Sequence, residues 1–405
     1  MNFDLNDEQI QVRDMVREFA AREVAPHIRE WDTEGKVGRG IIDKLGESGI
    51  LGLPIPESCG GLGLDYISLA LACDELEYVD TSLRVIMSVH VGLNSLSLLQ
   101  WATEEQKQRW LAPQAEGSKI ATFGLTEPAA GTDAGSIEST AVRDGDSYIL
   151  NGSKMWISLA DIADHFLVFA SIDRSLKHNG LTAFILERGM EGFTTGTIKG
   201  KLGIRAGNTG ELAFDNVRVP LENRIGEDGE GFKVAMSCID QGRFTVAAGA
   251  VGLTRAALDA SVTYANQRET FGQPIGRHQL VQQMIAHMAS GLETSRLLVY
   301  RAAELKNRGI RNTRETSLAK WHACDVAIKA ADDAVQIHGS YGFSNEYPVE
   351  RYLRNARGAV IYEGTREVHQ ILQAEYALGY RKDKPLRMPQ PPAVGFESER
   401  VGETR

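Results

Sequence analysis

Asp144-Gly145-Asp146-Ser147-Tyr148-Ile149-Leu150-Asn151-Gly152 is the stretch that decides the fold. Asp-Gly-Asp and Asn-Gly are hairpin-type turn signals, and a short β-favouring run, 147–149, lies between them. The pattern repeats outward. Runs at 121–125, 166–170, 183–186 and 211–214 alternate with turns from about 120 to 219. No long helical pattern separates them, which predicts an antiparallel sheet or barrel rather than a doubly wound sheet.

Both flanking thirds read as helices. Asn6 and Gln9 have capping-box spacing, and Val12, Met15, Val16 and Phe19 follow helical periodicity. Pro26 requires a bend or a short break. Further helices are predicted over 41–48, 67–77, 81–101 and 104–115, with a loop at 49–63 marked by Gly52, Pro54, Pro56, Gly60 and Gly61. Past the sheet, helices are predicted over 235–267, 278–307, 313–338 and 363–379. Gly242, Gly249 and Gly252 break the first of these and mark close helix contacts. Several long helices in succession suggest a bundle. The charged, Pro-rich segment after Tyr380 predicts a loosely ordered tail. The fold class is therefore α+β: a helical N-terminal domain (1–119), a central antiparallel β domain (120–232), a C-terminal helical bundle (233–380) and a Pro-rich tail (381–405).

At 405 residues and 42% hydrophobic, the chain can bury a large core in two or three domains. Its formal net charge of -10 opposes a dedicated nucleic-acid binder. Cys59, Cys73, Cys238 and Cys324 are far apart, which indicates neither a zinc site nor a disulfide framework and fits a reducing cytoplasm. The N-terminus has the features of neither a signal nor a transit peptide. No uncharged apolar run approaches the ~20 residues that span a bilayer, so no membrane insertion is expected.

The chemistry concentrates in separated segments. Ile361-Tyr362-Glu363-Gly364-Thr365-Arg366-Glu367 sets a carboxylate between an aromatic and a glycine, a setting for a base beside a flat reactant. Phe123-Gly124-Leu125-Thr126-Glu127-Pro128-Ala129-Ala130-Gly131-Thr132-Asp133 adds hydroxyls near glycine-permitted backbone approach. Together the two suggest a flavin site with one carboxylate base. Trp156-Ile157-Ser158 places an indole beside a small hydroxyl, although a lone Trp is usually a core residue. Arg268 ends a long helix, where it either forks onto a phosphate or compensates the helix C-terminus. A Rossmann fingerprint, a Walker loop, HExxH and GxSxG are all absent.

In this order the segments resemble the acyl-CoA dehydrogenase family, from about residue 5 to 379. The 123–133 run and Lys154-Met155-Trp156-Ile157-Ser158 look like its first two flavin segments. Arg268 to Ile275, with His278-Gln279, looks like the stretch given to a neighbouring subunit's FAD. Gln336-Ile337-His338-Gly339-Ser340-Tyr341-Gly342 looks like a further flavin segment, and Tyr362-Glu363-Gly364-Thr365 like the catalytic motif. The resemblance implies a helical domain, a β domain and a four-helix bundle, assembled as a homotetramer built from a dimer of dimers. It implies α,β-dehydrogenation of an acyl-CoA thioester with FAD as cofactor and electron-transferring flavoprotein as acceptor. Glu363 would take the α proton, and the β hydride would pass to flavin N5. The Glu363 N–H and a flavin ribityl hydroxyl would hold the thioester oxygen. Phe123, Leu125, Thr126, Trp156 and Ser158 would contact flavin, Ser158 standing where threonine is common. Arg268, Thr270, Phe271, Gln279, Gln336 and Ser340 would hold FAD across the subunit boundary, and Thr365 and Glu367 match the last FAD segment. Thr132, Asp240 and Arg243 match positions on the CoA arm, with Tyr362 and Gly364 beside the acyl group. Arg366 is unusual at its position.

Substrate choice is expected at the far end of the acyl pocket, in the segment Glu77 to Val89. Arg84, with Glu77 and Ser88, resembles the set that faces the distal carboxylate in glutaryl-CoA dehydrogenases, although Val85 departs from that group. Arg84 pairs either with a substrate carboxylate or internally with Glu77 or Asp80. The primary expectation is a general acyl-CoA dehydrogenase, with a glutaryl-CoA dehydrogenase as the alternative. An oxygen-reducing oxidase and a non-catalytic acyl-CoA-binding homologue are further alternatives, and a flavin enzyme acting on a nitroalkane or a damaged nucleobase is disfavoured by the carboxylate base and the acidic charge.

Overall fold

The structure is a computed structural model that describes residues 4–396. Helix α1 (Asp7–Phe19) opens with the expected capping box, in which Gln9 N donates to Asn6 Oδ1 over 2.8 Å and Asn6 N to Gln9 Oε1 over 3.0 Å. It loosens into a π turn (Ala20–Val24) ahead of Pro26, and the chain re-enters as α2 (Ile28–Glu34). Next come α3 (Arg39–Glu47), α4 (Tyr66–Val79) and α5 (Thr81–Ile86). A π segment (Met87–Ser95) joins α5 to α6 (Leu96–Trp101). This stretch, Thr81–Trp101, is long and apolar enough to cross a membrane, but 94% of it is buried inside the fold, as in a core helix. The short helices α7 (Glu104–Gln106) and α8 (Ala112–Ala115) complete the N-terminal helical domain.

The central sheet holds β1 (Ala121–Gly124), β2 (Thr140–Asp144), β3 (Ser147–Ser158), β4 (His165–Ser171), β5 (Leu181–Glu187), β6 (Phe193–Thr197), β7 (Thr209–Pro220) and β8 (Arg224–Ile225). Their order is β6-β7-β3-β2-β4-β5-β8, with β1 also paired to β4. Most pairings are antiparallel, as expected, but β4 takes both β1 and β2 in parallel. Gly145-Asp146 makes the β2–β3 hairpin, closed by Asp144 opposite Ser147. The expected turn at Asn151-Gly152 is instead a bulge inside β3, where the register slips between Leu150 and Gly152. Crowding gives the reason: a Cβ on Gly152 would lie 2.4 Å from Ser139 Oγ.

The C-terminal helices are α9 (Gly231–Gln267), α10 (Gln279–Asn307), α11 (Thr313–His338), α12 (Val349–Ala359) and α13 (Arg366–Ala377). A small hairpin of β9 (Glu269–Thr270) and β10 (Gln273–Pro274) joins α9 to α10. The glycines of α9 do mark close approaches, since a Cβ on Gly252 would lie 2.0 Å from the Asp74 carbonyl oxygen on α4. The segment after Tyr380, expected to be loose, is tied down as far as it is described. Gln390 donates to the Tyr66 hydroxyl over 3.1 Å, Ala393 N to the Asn307 carbonyl over 2.9 Å, and Gln100 to the Met388 carbonyl over 2.8 Å.

Candidate active site

The loop between α12 and α13 carries Glu363 at a φ of 54°, a left-handed conformation that a non-glycine residue holds only under outside constraint. Its neighbours supply the constraint. Arg243 Nε on α9 donates to the Glu363 carbonyl over 3.1 Å, and Lys320 Nζ on α11 donates to the Gly364 carbonyl over 2.8 Å. Arg366 N closes the loop on the Val360 carbonyl over 3.1 Å, and the Thr365 hydroxyl caps α13. The Glu363 N–H has no hydrogen-bond partner among the described residues.

The carboxylate is equally uncommitted. Glu363 Oε2 is shielded from solvent and accepts no hydrogen bond from the described residues. Desolvation pushes its pKa up to about 7, against the downward pull of Arg84, Lys320 and Arg243. His369 is buried behind the loop with Nδ1 2.8 Å from Ser317 Oγ. Burial, reinforced by Lys320 and Arg243, drives its pKa down to about 3 and keeps it neutral.

Beside this loop lies a buried polar network. The Arg84 and Glu77 side chains are each 1% exposed and meet through Arg84 Nε and Glu77 Oε2 at 2.5 Å. Arg84 Nη1 donates to Ser88 Oγ over 2.9 Å and Nη2 to the Tyr362 hydroxyl. Ser88 Oγ meets Thr245 Oγ1 at 2.7 Å, and Thr81 Oγ1 donates to Glu77 Oε1 over 2.9 Å. Of the two internal partners weighed for Arg84, Glu77 is the one found; Asp80 is taken by Arg351 and Asn355 of α12. The space for the ion pair comes from Gly249, where a Cβ would sit 1.9 Å from Glu77 Oε2.

The other predicted residues form two further groups. Phe123 and Leu125 lie on and just after β1, and Thr126 O accepts from Met155 N over 2.9 Å. The buried Lys154–Glu127 pair at 2.6 Å fixes this turn, because Glu127 also accepts from Ser139 N over 3.0 Å. Trp156 stands in a second bulge of β3 at φ 64° and is 56% exposed, so it is not a core residue. Ser158 ends the same strand, and Thr132 is exposed. The last group sits at the far ends of α9 and α11. Arg268, Gln279, Gln336 and Ser340 are exposed there, Thr270 Oγ1 meets His278 Nε2 at 2.9 Å, and Phe271 is 97% exposed at φ 52°.

Asp240 is already engaged, by Arg243 at 3.1 Å and by Thr313 Oγ1 at 2.6 Å. Arg366 pairs with Asp325 at 2.5 Å, and Glu367 is exposed in the first turn of α13. Sequence reasoning did not find Lys320, Thr245 or His369, since single polar residues within helical patterns read as surface positions.

Family models for the N-terminal, middle and C-terminal domains of acyl-CoA dehydrogenases match residues 6–118, 122–217 and 229–378. The short-chain-specific acyl-CoA dehydrogenase of Clostridium acetobutylicum is 43% identical over 92% of this chain and 98% of its own. A chain solved in work on the electron transferring flavoprotein of Acidaminococcus fermentans is 46% identical with a TM-score of 0.92, covering 93% of this chain and 100% of its own. A glutaryl-coenzyme A dehydrogenase solved with glutaryl-CoA is 36% identical with a TM-score of 0.91, covering 96% and 99%. The chain therefore belongs to the acyl-CoA dehydrogenase family, whose members are FAD-dependent oxidoreductases.

Proposed function

We propose that the chain, with FAD as cofactor, oxidises a short-chain acyl-CoA thioester to the trans-2-enoyl-CoA, with Glu363 as the base. One observation carries this reading: a solvent-shielded carboxylate oxygen with no partner and a pKa pushed up to about 7, beside its own unpartnered N–H. A base of that pKa is half ionised at neutral pH and strong enough to share an α proton. The Glu363 N–H donates to the thioester oxygen and stabilises the developing enolate, a contribution on the order of a few kcal/mol. FAD, when bound, supplies the acceptor for the β hydride.

The residues present fit that cofactor. The outward indole of Trp156 and the half-buried Phe123 ring offer apolar surface to a flat ligand, with the Thr126 and Ser158 hydroxyls beside them. Among the described residues, Arg268, Thr270, Phe271, Gln279, Gln336 and Ser340 make no hydrogen bond or ring contact with Phe123, Thr126, Trp156 or Ser158. This supports an FAD shared across subunits of a homotetramer. Thr365 and Glu367 would complete the cofactor contacts.

For the CoA arm, a cavity of about 390 Å³ opens at Asp133, the residue after Thr132, and is lined also by His178 and by the cations Arg174 and Lys177, which suit phosphates. Arg243 and Asp240 would border the arm deeper in. Electron-transferring flavoprotein is the proposed acceptor. The buried free cysteines support a cytoplasmic setting.

The Glu77–Arg84 pair supports a monocarboxylic substrate, because the cation that would hold a second carboxylate is already neutralised. Glutaryl-CoA remains the second reading, favoured by Arg84 reaching Tyr362 beside Glu363. Anaerobic addition of butyryl-, octanoyl-, isovaleryl- and glutaryl-CoA to the flavoprotein tests the choice. Bleaching by butyryl-CoA but not glutaryl-CoA is expected. Bleaching by glutaryl-CoA alone, lost in Arg84→Gln protein that retains its flavin, would replace the first reading with the second.

A further inference from the structure

Lys320 is an unusual residue for its place. It lies inside α11, 1% exposed, and its ammonium makes one hydrogen bond, to the Gly364 carbonyl over 2.8 Å. Burying an ammonium without a bonded counter-ion is costly, and desolvation lowers its pKa. A purely architectural contact to one carbonyl would be met at less cost by a glutamine or a serine. The charge therefore calls for a reason beyond packing.

The surroundings supply one. Arg243 holds the Glu363 carbonyl and Lys320 the next carbonyl along, so two successive peptide oxygens are drawn toward cations from two different helices. Glu363 is thereby kept at φ 54°, with its N–H unpartnered. We infer that Lys320 is a positioning residue for Glu363: it pins the Gly364 carbonyl, one peptide beyond the one Arg243 holds, and its positive charge keeps the neighbouring carboxylate available as a base. This rests on the reading of Glu363 as the base.

The charged and titratable groups that face Glu363 are Cys73 from α4, Arg84 from α5, Arg243 from α9, Lys320 from α11 and His369 from α13, with Tyr362 adjacent in the loop; Cys324 of α11 faces Lys320, and burial pushes both thiols up and keeps them neutral. Arg84 is compensated by Glu77, and Arg243 by Asp240. His369 is neutral. Lys320 has no ion-pair partner among the described residues, so its charge, unlike those of Arg84 and Arg243, is not shared with a bonded carboxylate and adds to theirs in favouring ionised Glu363.

The test compares kcat–pH profiles of holoenzyme carrying Lys320→Gln, Lys320→Met and Lys320→Arg with the wild type, on an acyl-CoA that the wild type turns over. Removing a cation destabilises the carboxylate, so Gln and Met should move the acid limb to higher pH by about half a unit or more. On that limb the shift lowers kcat about threefold or more. Arg should restore the wild-type limb. An unmoved limb in flavin-retaining Gln and Met variants would overturn the inference. So would failure of both to hold flavin, which would make the role architectural. Gln, which can still donate to the Gly364 carbonyl, carries the test if Met does not fold. A Glu363→Gln control separates the two claims. Wild-type turnover there sinks the base assignment itself, whereas a dead Glu363→Gln with unmoved Lys320 limbs sinks only this inference.

Discussion

Gly242 and Glu363 share one space: a Cβ on Gly242 would lie 2.1 Å from Glu363 Oε2 and 2.7 Å from Leu93 Cδ2. The helix that supplies Arg243 to the Glu363 loop thus also leaves a Cβ-sized gap, one residue earlier, for the carboxylate. Gly242→Ala should displace the Glu363 carboxylate while leaving the FAD contacts alone. We expect kcat to fall by about tenfold or more, equivalent to ~1.4 kcal/mol of barrier, with flavin content unchanged. Stopped-flow reduction by substrate checks this, and a wild-type rate would show that Glu363 does not need that gap.

The raised pKa of Glu363 has two consequences of opposite sign. Activity needs the carboxylate, so kcat/KM should rise with pH through a limb near 7. Stability runs the other way. The folded pKa lies above the unfolded one, so the folded state favours the protonated form. Relative to Glu363→Gln, the wild type should lose stability as pH rises from about 4.5 to about 7, and no more beyond. Denaturant melts at several pH values measure the difference, and a flat difference would contradict the solvent-shielded, partnerless Oε2 of Glu363.

Arg84 and Glu77 are a buried pair, and removal of one partner strands the other. Arg84→Met should cost on the order of 3–5 kcal/mol because the Glu77 carboxylate stays buried. Glu77→Gln combined with Arg84→Met should recover part of that loss. A single variant as stable as the wild type in urea melts would show that water reaches Glu77.

Arg268→Ala and Phe271→Ala should weaken FAD retention although neither residue makes a hydrogen bond or ring contact with Trp156 among the described residues. The measurement is the flavin-to-protein absorbance ratio after extensive dilution and gel filtration. Full flavin content in both variants would remove this face from the cofactor site.

Much of the architecture was legible because its causes are local. Helices α9, α10 and α11 start and stop within a few residues of expectation, since long stretches poor in breakers leave little alternative. Helix α12 was not foreseen. Its buried face carries Arg351 and Asn355, both bonded to Asp80 of the N-terminal domain, and hydrophobic periodicity is blind to a polar face satisfied at long range. Trp156 shows the same limit. An indole in a strand reads as core, and only the bulge at positive φ turns it outward. The segments around Glu363 were recognisable in sequence, but Lys320 and Gly242 acquire their roles only where α9 and α11 converge on one loop.

The central claim is that Glu363 takes the α proton, and anaerobic titration of wild-type and Glu363→Gln flavoprotein with butyryl-CoA tests it most directly. The account predicts that the wild type bleaches fully, while Glu363→Gln binds the ligand, perturbs its flavin spectrum and stays oxidised. Bleaching of the Gln variant at a rate close to wild type would show that another group removes the proton.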